Sequence, residues 1–350
     1  MSFFNNLFRH KNTESVVLID IGASSVAGAY VQYKETEPPT LLYNRRVPIE
    51  PREGEPHGRA MLRALSVLGD ILIQEGAPVL AHAVGKGTVD LILVAVDSPW
   101  AETTVRTEHF EEPTPFIFSK SLVTKVLEKS AHDIPEKLLA DESVIGTILN
   151  GYETGNPYGK KVHRASAIVL TSLIEKKIAN TILSIIQNFY HTKRILPITG
   201  SSLRYQAMRT AFPHEQNALI LDATGPLTSI ILIRKGLFVA ISEILDSVTG
   251  GISWVDKVIR ECAEIAKNYP LPRTIFLLAQ EPQVADLEGK LDTANLGSLW
   301  LSDNPPKTVS ILASHIASSV RHAPTVSPDL LILLMTLYYE TKRKESTATK

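Results

Sequence analysis

A β-branched strand, an acidic turn and a second apolar strand occur twice in this chain. Residues 16–33 read VVLIDIGASSVAGAYVQY, and residues 218–236 read ALILDATGPLTSIILIRKG. Val16, Val17, Leu18 and Ile19 have strand composition, DIGASS supplies a turn, and apolar and aromatic character resumes from Ala27. Superposing Asp20 on Asp222 matches strand to strand on both sides and sets Val26 against Thr228. Two halves that open alike imply an internal structural duplication. Each half continues with amphipathic helices mixed with strands, so the expected fold class is α/β with duplicated lobes.

The length allows it. A chain of 350 residues, 44% of them hydrophobic, has material for about two to three lobes, each with its own core. Lys and Arg total 36 against 37 Asp and Glu, so no positive excess argues for nucleic acid as a partner. Cys262 is the only cysteine, which excludes an internal disulfide and any multi-cysteine metal site and fits a reducing, cytoplasmic setting. The ten histidines are scattered and none has metal-ligand spacing. Near the start, Phe4, Leu7 and Phe8 share one helical face opposite Asn5, Asn6, Arg9 and Lys11, a small amphipathic pattern that could touch a membrane or a partner. The more economical use of those phenylalanines is to tuck a frayed terminus onto the domain.

Periodicity places the main helices. In residues 174–190, Ile174, Ile178, Ile182, Ile185, Ile186 and Phe189 fall on one stripe and predict a core-facing helix. Residues 253–268 predict another: Ser253 with Asp256 makes a capping-box-like start, Pro270 follows the end, and Val258, Cys262 and Ile265 belong to the buried stripe. Cys262 is therefore read as a packed core residue. Between the halves the texture changes. Residues 89–110 read as two strands, residues 119–133 as a helix capped by Ser119 or Ser121, and residues 143–172 as strands around an Asn-Pro-Tyr-Gly turn. Strand, helix and strands in that order suggest a small inserted α+β domain. The Pro- and Glu-rich residues 35–57 read as an exposed connection.

These segments resemble, in order and spacing, the actin-type ATPase superfamily, and within it the FtsA/PilM branch of bacterial scaffold proteins. The first phosphate motif is similar to LIDIGASSV and the second to LILDATGPLTSI; DSVTGGISWVDKVIRECAEIAK resembles the Gly-Gly turn and Ala-Glu-x-x-Lys helix that follow, and NPYGKK resembles a turn of the FtsA insertion. The resemblance implies duplicated actin-like (ribonuclease H-like) lobes with a strand-helix-strand-strand insertion. Its implied layout is an N-terminal tail at 1–14, a first lobe at 15–88 and 166–215, the inserted domain at 89–165, a second lobe at 216–340 and a disordered tail at 341–350. It also implies a nucleotide cleft. Asp20 and Asp222 would hold a hydrated Mg²⁺, Gly22, Ser24 and Ser25 would serve the phosphates of ATP, Glu264 and Lys267 would lie against the ribose and base, and Thr228, Gly250 and Gly251 would belong to the same nucleotide site.

The motifs are unevenly kept. Asp20, Gly22, Ser24 and Ser25 form a complete first half, with Gly22 allowing close approach and the serines adding hydroxyl donors. In the second half, Asp222 is followed by Ala223 and Thr224, Gly225 comes one position late, and Pro226 has no N–H to donate. Ala279, Gln280, Glu281 and Pro282 stand where adenosine-binding glycines belong, and Glu281 would repel a phosphate. Glu264 and Lys267 have an equal claim to be an exposed ion pair. No other catalytic signature is complete: VGKGT lacks the first glycine of a P-loop, and TGSSLR at residues 199–204 lacks the second glycine of a nucleophile elbow. The expected function is a cytoplasmic scaffold at the inner membrane face in cell division or type IV pilus assembly, a pseudo-ATPase with weak or lost nucleotide binding. Its partners would be membrane-associated division or pilus proteins, with self-association as a further mode. The alternative is an active Mg-ATP-binding ATPase that forms filaments; an actin-fold sugar or acetate kinase would need a catalytic acid that the sequence does not offer.

Overall fold

The computed structural model describes residues 13–131, 136–154, 156–225, 227–245, 253–294, 296–300, 306–323 and 326–348. The sequence expectations at Phe4, Leu7, Phe8, Pro226, Gly250 and Gly251 lie outside them.

Strand β1 (Thr13–Ile21) shows why the first sheet forms. Val16 and Leu18 enter one core while Val17, Ile19 and Ile21 enter another, so both faces of the strand are buried and its sequence is apolar without interruption. It pairs antiparallel with β2 (Ser25–Lys34), which pairs antiparallel with β3 (Thr40–Pro48), and on its other side it runs parallel to β4 (Leu91–Val96). With β9 (Ile195–Thr199) and the short β15 (Arg321–His322) the order is β15-β3-β2-β1-β4-β9. The second sheet comprises β10 (Ala218–Ala223), β11 (Leu227–Arg234), β12 (Leu237–Leu245), β13 (Thr274–Ala279) and β14 (Lys307–Ile311) in the order β12-β11-β10-β13-β14. Its antiparallel and parallel pairings repeat those of β3-β2-β1-β4-β9 strand for strand. The lobes are duplicated, as the two sequence repeats require.

Helices cover the outer faces. α1 (His57–Ile71), a π-helical turn (Leu72–Gly76) and α2 (Ala77–Val84) follow without a break, a run long and apolar enough by length and composition to cross a bilayer. Its Met61, Leu65, Leu68 and Leu72 are buried with Ile182 and Ile186 of α4 (Lys176–Phe189) on one side of the first sheet. α6 (Trp254–Ala266) and α7 (Glu281–Thr293) close the second lobe, with a 3₁₀ turn at Leu296–Leu299 beside α6. Ser253 Oγ accepts the Asp256 N–H at 3.2 Å as N-cap of α6, and Cys262 is buried, its thiol pushed up to about 12 chiefly by desolvation. Between the lobes, α5 (Gly200–Ala211), α8 (Ala313–Ala317) and α9 (Leu330–Ala348) share one core with the inner faces of both sheets.

A separate sheet, β5-β8-β6-β7, is built from β5 (Ala101–Ile117), β6 (Lys137–Leu149), β7 (Tyr152–Glu153) and β8 (Lys161–Glu175), with α3 (Lys120–Ala131) over a core of Phe110, Phe118, Val123 and Leu127. Ser119 Oγ accepts the Leu122 N–H at the start of α3.

Four boundaries differ from the sequence reading. Residues 35–57 are not a plain connection, because β3 lies within them and completes the hairpin meander. β4, expected in the insertion at 89–165, runs parallel to β1 in the first lobe, and β8 carries the inserted sheet on to Glu175. The reason is that β4 is buried at every position, a pattern suited to the middle of a covered sheet. β15 and α9, expected in the second lobe at 216–340, pack on the first, against β3 and against β1 and β2. Lastly, the stretch expected as a disordered tail from 341 is helical through Ala348: Arg343 is buried with Glu340 in an ion pair at 3.2 Å, so its charge does not need water.

Candidate functional site

The two repeats end in the same register. Asp20 sits opposite Ala27 across β1 and β2, and Asp222 sits opposite Ser229 across β10 and β11, so each acid is carried to the same point of its hairpin. The turns face each other closely: a Cβ on Gly225 would lie 4.0 Å from Ser24 Oγ. The cavity between them measures about 30 Å³. That is space on the scale of a water molecule, well below the volume of a ligand pocket.

Arginines fill the remainder. In the first hairpin, Gly22 N–H donates to Ser25 O at 3.0 Å, closing the turn on itself, and His57 Nε2 lies 2.8 Å from Ala23 O. Arg46, from β3, donates to Asp20 Oδ2 at 3.2 Å and to Ser25 Oγ at 2.8 Å. Its guanidinium also forks onto Asp329, Nε to Oδ2 at 2.7 Å and Nη2 to Oδ1 at 2.9 Å. Asp329 Oδ1 in turn accepts the N–H groups of Leu331 and Ile332, capping α9. Burial drives the Asp20 carboxyl up to about 6; Arg46 opposes the rise, while Asp97 and Asp329 add to it. For Arg46, burial favours the neutral form, but Asp20 and Asp329 outweigh it and the pKa is raised.

In the second hairpin, Thr224 donates its N–H and its hydroxyl to Asp222 Oδ1 at 3.1 and 2.7 Å, an Asx-type turn that uses the donors a phosphate would need. Asp222 Oδ2 is ion-paired with Arg204 Nε. Arg204, in the first half of α5, also forks onto Asp97 at the end of β4, Nη1 to Oδ2 at 3.0 Å and Nη2 to Oδ1 at 2.7 Å. The Arg204 side chain is 5% exposed, and Asp222 and Asp97 outweigh its burial to raise its pKa. Gly200 is required here, since any Cβ would collide with Asp97 and Arg204. Thr228 Oγ1 accepts the Trp254 indole N–H at 2.9 Å and is committed to the core.

These residues do not fit Mg-ATP. Both acids implied as metal ligands, Asp20 and Asp222, already hold guanidinium groups, and a cation would have to displace them. Two arginines face four carboxylates, Asp20, Asp97, Asp222 and Asp329, so a triphosphate would enter a field of its own sign. Among the described residues, no group of three or more His, Cys, Asp or Glu is arranged to hold a metal. On the nucleoside side, Gln280 caps the approach to α7 and donates to Thr224 O at 3.1 Å. Glu281 lines an adjoining cavity of about 240 Å³. Glu264 and Lys267 pair with each other at 2.7 Å on the exposed face of α6 and line neither cavity.

The sequence reading missed Arg46, Asp97, Arg204 and Asp329. Asp97 had a usable signal, since VAVD ends a buried strand as VLID does. Arg204 stands in TGSSLR, a pattern that draws attention to its serines rather than to its arginine. Larger cavities lie elsewhere, where the inserted sheet meets α5. One of about 430 Å³ is bounded by Val144, Gly146, Tyr158, Arg209 and Leu237. An adjoining one of about 390 Å³ shares Val144, Ile145 and Arg209 and reaches Tyr338 and Lys342 of α9.

No family model and no curated protein matches the sequence. Among solved structures, the chain is similar to one chain of the PilM-PilN type IV pilus biogenesis complex, with a TM-score of 0.55 and 15% identity over 93% of this chain and 98% of that one. A Bacteroides thetaiotaomicron protein of actin-like ATPase fold and unknown function follows, with a TM-score of 0.46 and 8% identity over 92% and 95% of the two chains. The cytoplasmic domain of EpsL, an inner membrane component of the Vibrio cholerae type II secretion system, gives 0.38 and 8% over 93% and 95%. The fold is that of the actin-like ATPases.

Proposed function

We propose that this chain is a scaffold of the FtsA/PilM kind that has exchanged nucleotide for arginine in its cleft and works by binding other proteins at the cytoplasmic face of a membrane assembly. The observation that carries the reading is the pairing of Asp20 with Arg46 and of Asp222 with Arg204. A protein that bound Mg-ATP would need both acids free of fixed cations, and it would need room between the hairpins. The resemblance over nearly the whole chain to a component of a type IV pilus complex favours pilus assembly or a related secretion machine over division. The partner would be a membrane-associated protein of that machine. The groove between the inserted sheet, α5 and α9 is the surface with volume to receive a segment of it.

Titrating a fluorescent ATP analogue with and without Mg²⁺ tests the reading. The expected result is no saturable binding in the micromolar range. Micromolar binding that disappears in Asp20→Ala would overturn it and restore the filament-forming ATPase as the function.

A further inference from the structure

Helix α5 joins the cleft to the groove. Arg204 enters the cleft, and Arg209, five residues later and about 7.5 Å along the axis, lines the groove. Between them the helix is bonded to the second lobe. Tyr205 OH donates to Gly236 O at 2.9 Å and accepts the Phe238 N–H at 3.2 Å, at the turn between β11 and β12. Arg209 Nη1 donates to the same hydroxyl at 3.2 Å. Leu237 of that turn forms a wall of the groove and packs so closely on Gly146 of β6 that a Cβ there would lie 2.7 Å from Leu237 Cδ1. The part of the groove that measures about 430 Å³ therefore takes residues from the first lobe, the second lobe and the inserted sheet, and its shape depends on the distance between the lobes.

We propose that Arg204 is a built-in latch. It ties Asp222 of the second lobe to Asp97 of the first, supplies the positive charge that a bound cation would bring to the paired hairpins, and so holds the lobes closed and the groove assembled without a ligand. The proposal rests on the reading of the cleft as non-nucleotide. Three features support a latch over an incidental ion pair. The Arg204 and Asp222 side chains are 5% and 3% exposed, so water and salt do not screen their attraction. The contact with Asp97 is two-pronged, which fixes the guanidinium plane beside Asp222. Arg46 repeats the arrangement beside it, joining Asp20 of the first hairpin to Asp329, the cap of α9. α9 packs along α5. Both arginines thus bear on the two helices that wall the groove.

The decisive variant is Asp222→Asn in the full chain. Asparagine still offers Oδ1 to Thr224, so the hairpin keeps its turn, while an uncharged amide faces Arg204, which stays paired with Asp97. Spin labels on Val67→Cys of α1 and Lys290→Cys of α7 report the distance between the lobes; both sites are exposed, and the native Cys262 is buried. Wild-type protein should give one narrow distance, unchanged by Mg-ATP, and Asp222→Asn should add a longer one. Arg204→Lys, which keeps the charge but can serve only one acid at a time, should do the same and covers the case in which the first variant does not fold. A distribution unchanged in both variants overturns the latch while leaving the scaffold reading intact. A wild-type distance that shifts with Mg-ATP overturns the scaffold reading and the latch together.

Discussion

The two hairpins share a register and a topology, yet they neutralise their acids differently. In the first lobe the residue after the central parallel strand is Asp97; in the second lobe the matching residue is Gln280. Gln280 is satisfied locally, by donating to Thr224 O of its own hairpin. Asp97 has no such outlet and holds Arg204 of its own lobe, whose guanidinium reaches the second-lobe acid Asp222 across the cleft. The first hairpin keeps its glycine and both serines but has its hydroxyl and acid taken by Arg46; the second has closed on itself through Thr224. The polar groups of a duplicated motif can therefore be occupied by two routes, one by capture from outside and one by internal hydrogen bonding.

The largest effect should come from the shared arginine. Arg204→Met leaves Asp222 buried, and Asp97 beside it half-buried, without a counter-charge and should cost about 3–5 kcal/mol in chemical denaturation. Arg46→Met, whose side chain is 29% exposed, leaves the buried Asp20 still within the field of Arg204 and should cost less. Equal losses would break the contrast between the two clamps.

The pH dependence comes next. The carboxyls of Asp20 and of Asp141, the latter buried on β6 with Lys342 opposing the shift, are both pushed up to about 6 from 3.8. Between those values the native state holds more protons than the unfolded chain, so stability falls as the pH rises from about 4 to about 6, by at most about 3 kcal/mol per group. At Asp20 burial is the main cause, opposed by Arg46 and Arg204 and reinforced by Asp97 and Asp329. Asp20→Asn should flatten the slope through the cleft and Asp141→Asn through the inserted sheet; unfolding curves at several pH values separate the two. A slope left unchanged by Asp20→Asn would mean that its carboxylate is not held out of water.

A smaller loss is expected at Thr228. Thr228→Val strands the Trp254 indole N–H in the core and should cost about 1–2 kcal/mol, measured by thermal melting. The matching first-lobe residue, Val26, is already apolar, which is why the second hairpin alone carries this liability.

Local pattern made the repeats legible. The β-branched runs, the acid at each strand end and the apolar stripes of α4 and α6 lie within a few residues of one another, and the stripe placed Cys262 in the core. The lock on the cleft was not legible, because its partners are far apart in sequence: Arg46 meets Asp329 and Arg204 meets Asp97 only after the sheets have formed. Composition misled at the other end of the molecule. Polar residues of α9 looked like solvated chain, but Glu340 and Arg343 are buried as a pair, and Tyr339 OH donates to Glu14 at 2.8 Å.

That last contact bears on how the protein is made. The first lobe leaves the ribosome before the second, but its edge strand β15 and its covering helix α9 follow the second lobe in sequence. Domains normally fold in order of synthesis. Here the first sheet must wait, partly uncovered, until residues through α9 have been translated, and that interval is when the nascent protein is most exposed to aggregation or to capture by a chaperone.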